Sequence, residues 1–345
     1  MGSRGRAPEA APPLRRGFFM PCYSPLKGWK DATTGGLTFN RAHAISKMEV
    51  GCGQCLGCRL DYSRMWAMRI VHECSLHELD RGNCFITLTY RDEDACTLEQ
   101  WKAGLHVPAD WSLNLKHFQK FMKRLRKHFP QKVRFFHAGE YGKKCKHGID
   151  LELVGCPLCL VGRPHYHAAL FNCNFDDLVP YASDGGELRY TSPTLEKLWG
   201  FGFVDVGELN FNSAAYIARY ILKKVSGLPA IDHYTSYDLD GVVSYLRKEY
   251  VTMSRRPGIG REWYDKYKDD LFPSDETPVP GLGVIKGVPR FYEEIFKEED
   301  PLSLEEIKAR RQAFKMAHKE DYTPARLEAA YKVKKASMKE KKRKL

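Results

Sequence analysis

Apolar positions recur along this chain at two different periods, and the changes of period mark its elements. Over residues 61–79, Met65, Trp66, Arg69, Ile70 and Glu73 fall at helical spacing, with Asp61 as the expected cap. Residues 84–90 (CFITLTY) are β-branched, aromatic and apolar, which predicts a strand. At 114–129 the period is helical again. Leu115, Phe118, Phe121, Met122 and Leu125 line one side, Lys116, Lys120, Lys123, Arg124, Arg126 and Lys127 the other, and Pro130 ends the run. Strands are predicted at 133–140 (VRFFHAGE), 164–171 (PHYHAALF) and 202–209 (GFVDVGEL). A short helix is predicted at 194–199, and a longer one at 212–225 with Asn212 or Ser213 as cap and Gly227 as stop. The order β-α-β-β-α-β-α from 84 to 225 predicts an α+β fold: an antiparallel sheet with helices on one face, around a ferredoxin-like core.

Outside that unit the pattern is weaker. Residues 1–19 carry Arg4, Arg6, Arg15 and Arg16 among prolines with no apolar run, and read as a disordered leader. Residues 20–60 read as Gly- and Cys-rich loop structure, 226–300 as a C-terminal extension with a basic loop (MSRRPGIGREWY, 253–264), and 301–345 as a basic helical tail. The chain is 43% hydrophobic and 12% aromatic, enough for a real core. It has no stretch of about 18 uncharged apolar residues, so no membrane span is expected. Lys and Arg outnumber Asp and Glu by 55 to 43, a net charge of +12. The tail alone holds 14 against 6, two-thirds of that excess. Such a balance favours a polyanionic partner, most simply nucleic acid.

The cysteines change the picture next. There are 11, several of them two residues apart, which suits reduced thiols and metal ligands better than a secreted disulfide framework. Cys52, Cys55 and Cys58 form one run, and Cys156 and Cys159 follow Cys145 and His147 in another. Both spacings suit structural Zn²⁺. Two arrangements stay open: residues 145–159 close their own loop around zinc, or Cys52, Cys55 and Cys58 share an ion with a distant thiol such as Cys22.

His165 and His167 stand two apart on a predicted strand, so both imidazoles leave the same face. Glu140, at the end of the preceding strand, is the expected third ligand, with His137 as its rival. Two nitrogens and one carboxylate leave coordination positions open, which fits Mg²⁺ or Mn²⁺. Tyr216 and Tyr220 are one helical turn, about 5–6 Å, apart on one face. Arg219, Lys223 and Lys224 surround them. Phenols beside cations can act as nucleophiles towards phosphate. Either feature alone is compatible with ordinary packing; their occurrence together is what carries information.

Three segments, FITLTY (85–90), RPHYHAALF (163–171) and YIARYILKK (216–224), resemble the motifs of the HUH endonucleases that initiate rolling-circle replication. Tyr166 fills the hydrophobic position between the histidines. PCYSPLKGW (21–29), CGQCLGCR (52–59), GEYG (139–142) and SRRPGIGREWY (254–264) resemble the replication initiators of the gokushovirus branch of the Microviridae, so the likeness runs from about residue 20 to the end. Arg219 stands where that family's pattern has lysine, and the 143–162 insertion is longer than usual. The resemblance implies an HUH endonuclease domain over 20–225, with Glu140, His165 and His167 on the metal. Tyr216 and Tyr220 would be the nucleophiles, with Lys223 beside them. It implies nicking of supercoiled or single-stranded origin DNA through a 5′-phosphotyrosine link, later rejoining, and work in the infected bacterium's cytoplasm beside a host helicase, polymerase and single-strand-binding protein. Arg219, Lys224, Arg255, Arg256, Lys123 and Arg124 are the cations expected to meet DNA. Charge, aromatics and cysteines alone would also fit a non-enzymatic, zinc-stabilised single-stranded nucleic-acid-binding protein, which leaves the histidine pair and the tyrosine helix unexplained.

Overall fold

The computed structural model of the chain describes residues 22–184, 187–220, 225 and 227–343. A small antiparallel sheet comes first: β1 (Leu26–Asp31), β2 (Leu37–Thr38) and β3 (Ala44–Val50). It leads into α1 (Leu56–Ser75). The chain continues through β4 (Asn83–Thr89), α2 (Leu98–Lys102), α3 (Leu115–His128), β5 (Arg134–Tyr141), β6 (Pro164–Phe171), β7 (Val179–Asp184), β8 (Glu187–Thr191), α4 (Pro193–Trp199), β9 (Val204–Gly207) and α5 (Phe211–Tyr220). After these come α6 (Pro229–His233), β10 (Thr235–Tyr237), β11 (Val243–Tyr245), β12 (Tyr250–Met253), α7 (Arg261–Leu271), β13 (Glu276–Val279) and β14 (Gly283–Lys286). Three helices close the chain, α8 (Arg290–Glu299), α9 (Pro301–Ala317) and α10 (Pro324–Arg343).

Among the described residues the main sheet runs β12-β5-β6-β4-β9-β8-β7. Its strands pair antiparallel throughout. The central four, β5-β6-β4-β9, with α3 and α4 form the expected ferredoxin-like βαββαβ unit. Both of its helices lie on one face. Phe118, Phe121, Met122 and Leu125 of α3 and Leu195 and Trp199 of α4 pack on Leu88, Tyr166, Ala168 and Leu170.

Helices on one face describe that unit but not the whole sheet. β6 is apolar on both sides, and each large side chain left uncovered would forfeit about 1.5–3 kcal/mol. α1 and α5 cover the second face, setting Ala67, Met68, Ile70, Ala214 and Ile217 on Phe136, Ala138, Ala169 and Phe171. The residues 20–60, read as loop, contain β1 to β3, and β12 of the supposed extension adds an edge strand beside β5. Nor is the tail a free appendage. Leu304 and Ile307 of α9 and Leu327 of α10 are buried, and Arg311 pairs with Asp275 and Glu293.

Two caps differ from expectation. α1 begins earlier, with Cys55 at its N-cap, and Asp61 instead pairs with Arg64 at 2.7 Å. Asn210 caps α5: its Oδ1 accepts from the amides of Asn212 and Ser213, while Ser213 Oγ accepts from the Asn210 amide. That reciprocal box fixes the start of the tyrosine helix. The end expected for that helix, and the 1–19 leader, lie outside the described residues. No helix of the described residues is long and apolar enough to cross a membrane.

Candidate active site

Strand register builds the site. Glu140 pairs across from His165, and Ala138 from His167, so Glu140 and both histidines leave the sheet on the α1/α5 face. Their ligand atoms all lie within 4.8 Å of one another. Glu140 Oε1 is 2.6 Å from His165 Nε2 and 3.0 Å from His167 Nε2. His165 Nδ1 is 3.1 Å from the carbonyl oxygen of Arg163. A carbonyl only accepts, so Nδ1 carries the proton, and Nε2 is the atom turned towards the carboxylate. Two lone pairs at that separation require a proton or a metal cation between them. His167 Nδ1 is held by Thr87 Oγ1 of β4 at 3.0 Å. Partners of this kind behind metal-binding histidines fix ring orientation. Burial alone would raise the Glu140 carboxyl, but the hydrogen bonds and charge of His165 and His167 outweigh it and hold it well below the usual carboxylate range. An octahedral ion with ligands at about 2.1 Å sets neighbouring donor atoms about 3 Å apart, which these side chains can meet.

His137, the rival ligand, is on the other face. It stacks on Phe118 with centroids 3.4 Å apart, its Nδ1 is 2.9 Å from Thr252 Oγ1, and burial pushes it well below the usual imidazole range. It is a neutral core residue because an odd number of strand positions separates it from Glu140.

Ala214 and Ile217 anchor α5 on the sheet, and this turns Tyr216 to the histidines. Its ring meets that of His167 edge-on at 5.3 Å and Phe85 at 6.1 Å, yet Tyr216 is 40% exposed. The Arg219 guanidinium stands 5.7 Å from the same ring. Tyr220 follows one turn later on α5; its side chain, and Lys223 and Lys224, lie outside the described residues. Thr87 and the Arg163 carbonyl were not singled out in the sequence. A polar residue in mid-strand was the available signal for Thr87; a backbone carbonyl leaves none.

The expected DNA-contacting cations divide. Arg255 and Arg256 are exposed on the loop after β12. That loop is gripped from beneath. Arg134 Nη2 donates to the carbonyls of Pro257 and Gly258 at 3.0 and 3.1 Å, and Glu73 accepts from the Gly260 amide at 2.8 Å. Glu73 and Arg134 themselves form a buried ion pair at 2.7 Å. Arg124 is employed otherwise. Its guanidinium donates to the carbonyls of Leu198 and Trp199 at 2.6 and 2.8 Å, closing the end of α4. α3, and exposed Lys123 with it, sits on the sheet face opposite the triad. Helical periodicity reveals a basic side but not which sheet face the helix covers.

The cysteines gather into two groups, so the two arrangements left open by the sequence occur side by side. Cys22, Cys52, Cys55 and Cys58 converge, as do Cys145, His147, Cys156 and Cys159. Cys55 Sγ is 3.8 Å from Cys22 Sγ, and His147 Nδ1 is 3.4 and 3.5 Å from Cys156 Sγ and Cys159 Sγ. Tetrahedral zinc, with bonds of about 2.3 Å to sulfur and about 2.0 Å to nitrogen, sets S···S near about 3.8 Å and S···N near about 3.5 Å. Both donor sets therefore fit zinc. Burial would raise the Cys55 thiol, but backbone amides of Cys58 and Tyr23 and the neighbouring thiols bring it down to about 6. A cavity of about 800 Å³ lies between this Cys group and α10, lined in part by Tyr23, Arg59, Tyr331 and Lys335, and none of the triad reaches it.

Residues 83–149 and 155–225 match the family model described as "Replication-associated protein ORF2/G2P". The chain is 30% identical over 300 residues to replication-associated protein ORF2 of Spiroplasma virus 4, covering 83% of this chain and 80% of that one. It is 28% identical over 288 residues to replication-associated protein VP4 of Bdellovibrio phage phiMH2K, covering 82% and 79%. With replication-associated protein ORF4 of Chlamydia phage 1 it shares 28% over 258 residues, 72% of this chain and 53% of the other. No solved structure matches it. The chain belongs to the replication-associated proteins of Microviridae-type phages, the replication initiators its motifs resemble.

Proposed function

We propose that this phage replication protein is an origin-nicking endonuclease and strand transferase that starts rolling-circle replication. The observation that carries the reading is Tyr216 set edge-on against His167 of the Glu140–His165–His167 triad. Glu140, His165 and His167 would hold Mg²⁺ or Mn²⁺, which when bound would polarise the scissile phosphate and offset its charge. Tyr216 Oη attacks phosphorus; the Tyr–O–P bond forms as the bond to O3′ breaks. The phenol proton leaves to solvent and the departing oxygen is protonated, giving a free 3′-OH and a 5′-phosphotyrosine. The phosphodiester is conserved in the new ester, so attack by a 3′-OH rejoins ends without ATP. Tyr220 acts as the second nucleophile, with Lys223 beside it. Arg219, Lys224, Arg255 and Arg256 hold the strand, and the two Cys groups hold structural zinc. The free 3′-OH primes a host polymerase, with host helicase and single-strand-binding protein managing the displaced strand.

The test is single-stranded origin DNA incubated with the protein and Mn²⁺. A metal-dependent covalent adduct on the new 5′ end created by the cut is expected. Reversible, metal-independent retention would instead assign a binding protein.

The charge of α10 gives a separate expectation. Truncation at residue 301 would not isolate it, because Leu304 and Ile307 belong to the core. Replacing Lys332, Lys334 and Lys335 with Gln leaves helix propensity nearly unchanged. For single strands, losing three phosphate contacts should make the slope of log K against log salt shallower by about 2. An unchanged slope in filter-binding titrations would place α10 away from DNA.

A further inference from the structure

The connection from β5 to β6 is the segment that carries Cys145, His147, Cys156 and Cys159. Its apolar support is small: Ile149, Leu151 and Leu158 around the thiols. Its foot is tightly closed. The Gly142 amide donates to the Arg163 carbonyl at 2.9 Å, and the Arg163 amide to the Lys144 carbonyl at 2.7 Å. At Gly162 a Cβ would fall 2.1 Å from the Gly142 carbonyl oxygen, so only glycine permits this approach. The Arg163 carbonyl held there is the one that accepts from His165 Nδ1. The Arg163 side chain is pinned as well, to Asp92 at 2.6 Å and to the Tyr90 carbonyl at 2.9 Å. On its far side the loop grips the chain that leaves the tyrosine helix. Cys159 bridges to Ser236, and the Tyr237 amide donates to the Leu158 carbonyl at 2.8 Å. Tyr234, just before β10, accepts from the Val225 amide at 3.0 Å.

We propose that zinc bound by Cys145, His147, Cys156 and Cys159 is a positioning clamp for the nuclease centre. It holds the Arg163 carbonyl behind His165 and docks the segment that follows α5. This rests on reading Glu140, His165 and His167 as a metal site. The thiols of the Cys22–Cys52–Cys55–Cys58 group instead meet the amides of Tyr23, Cys52, Gln54 and Cys55, and this group serves as an internal control.

The experiment uses the full chain as wild type, Cys156→Ser, Cys156→His and Cys52→Ser. Zinc is counted by plasma mass spectrometry, and Mn²⁺ affinity is measured by calorimetry without DNA. Wild type should carry two zinc ions and each Ser variant one. Cys156→Ser should bind Mn²⁺ about 10–100-fold more weakly, the usual effect of losing support behind a metal ligand. Cys156→His, which keeps a ligand at that corner, should regain both zinc and Mn²⁺ affinity, and Cys52→Ser should leave Mn²⁺ affinity unchanged. Should Cys156→Ser fail to fold, Cys156→Asp retains a weaker ligand. Its Mn²⁺ affinity should rise with zinc content across dialysed samples. Zinc retained in Cys156→Ser, or Mn²⁺ affinity independent of zinc in either variant, would overturn the clamp. Wild type that binds no Mn²⁺ overturns it together with the metal reading. Mn²⁺ affinity that follows zinc, with no covalent adduct on DNA, overturns only the nicking reaction.

Discussion

His167→Ala, and likewise His165→Ala, is expected to cut cleavage of single-stranded origin DNA by about 10³-fold or more while sparing most of the binding. On the proposed reading, metal affinity is concentrated in three ligands, whereas phosphate affinity is spread over many cations. The geometry adds a gradient of effects. Glu140 Oε1 faces both imidazoles, so Glu140→Gln removes the charge that each of them meets. His137 cannot stand in, because it stacks on Phe118 across the sheet. Water or the remaining amide oxygen can, and a partial loss recoverable at high Mn²⁺ is expected. Thr87→Val removes the support behind His167 and should weaken Mn²⁺ binding about 10–100-fold with the same recovery. The measurement is covalent adduct formed per minute across a Mn²⁺ titration, on variants whose circular dichroism matches wild type. Near-normal cleavage by either alanine variant would remove the metal-site assignment.

What the chain discloses by itself, and what it does not, follows from the range of the physics involved. β6 was legible to its bounds because an alternating polar start and a continuous apolar end have one reading. The triad was legible because strand parity is local: His165 and His167 share a face wherever the strand goes. Which face α1 and α5 cover is a tertiary fact. So is the fate of Arg124, whose guanidinium is taken up by carbonyls more than seventy residues on. The meander of β1 to β3 was missed because two of its strands are short or mostly exposed, leaving no apolar alternation to read. The start of α1 was misplaced for a chemical reason: a cysteine in the N-cap position makes no side-chain cap bond and lies outside the usual signals. The two Cys groups show the limit most clearly. Spacing identified which thiols gather as a unit, but Cys22 joins Cys52 across thirty residues through folding that no spacing rule contains.

Replacing Tyr216 and Tyr220 together with Phe is expected to abolish the covalent adduct entirely, and the two single changes should be unequal. Phe keeps the ring, and with it the edge-on contacts of residue 216 to His167 and Phe85, so the core and the triad are left in place. What each change removes is one hydroxyl nucleophile. Tyr216 is placed against the triad, and it retains 40% exposure through which a strand can approach. Tyr216→Phe should therefore reduce single-turnover nicking sharply, with the residual cut made by Tyr220. Closing a round and beginning the next needs a free tyrosine while the other is esterified. Each single variant should then stall after one round, even where its first cut is fast. Mass spectrometry of nucleotide-linked peptides from wild type locates the ester directly. An adduct on a tyrosine outside 216–224 would overturn this centre. Adducts on Tyr216 alone, with full multi-round activity in Tyr220→Phe, would reduce Tyr220 to packing and make the reaction a one-tyrosine cycle, in which the 3′-OH of the completed strand must itself displace the ester before another cut can begin.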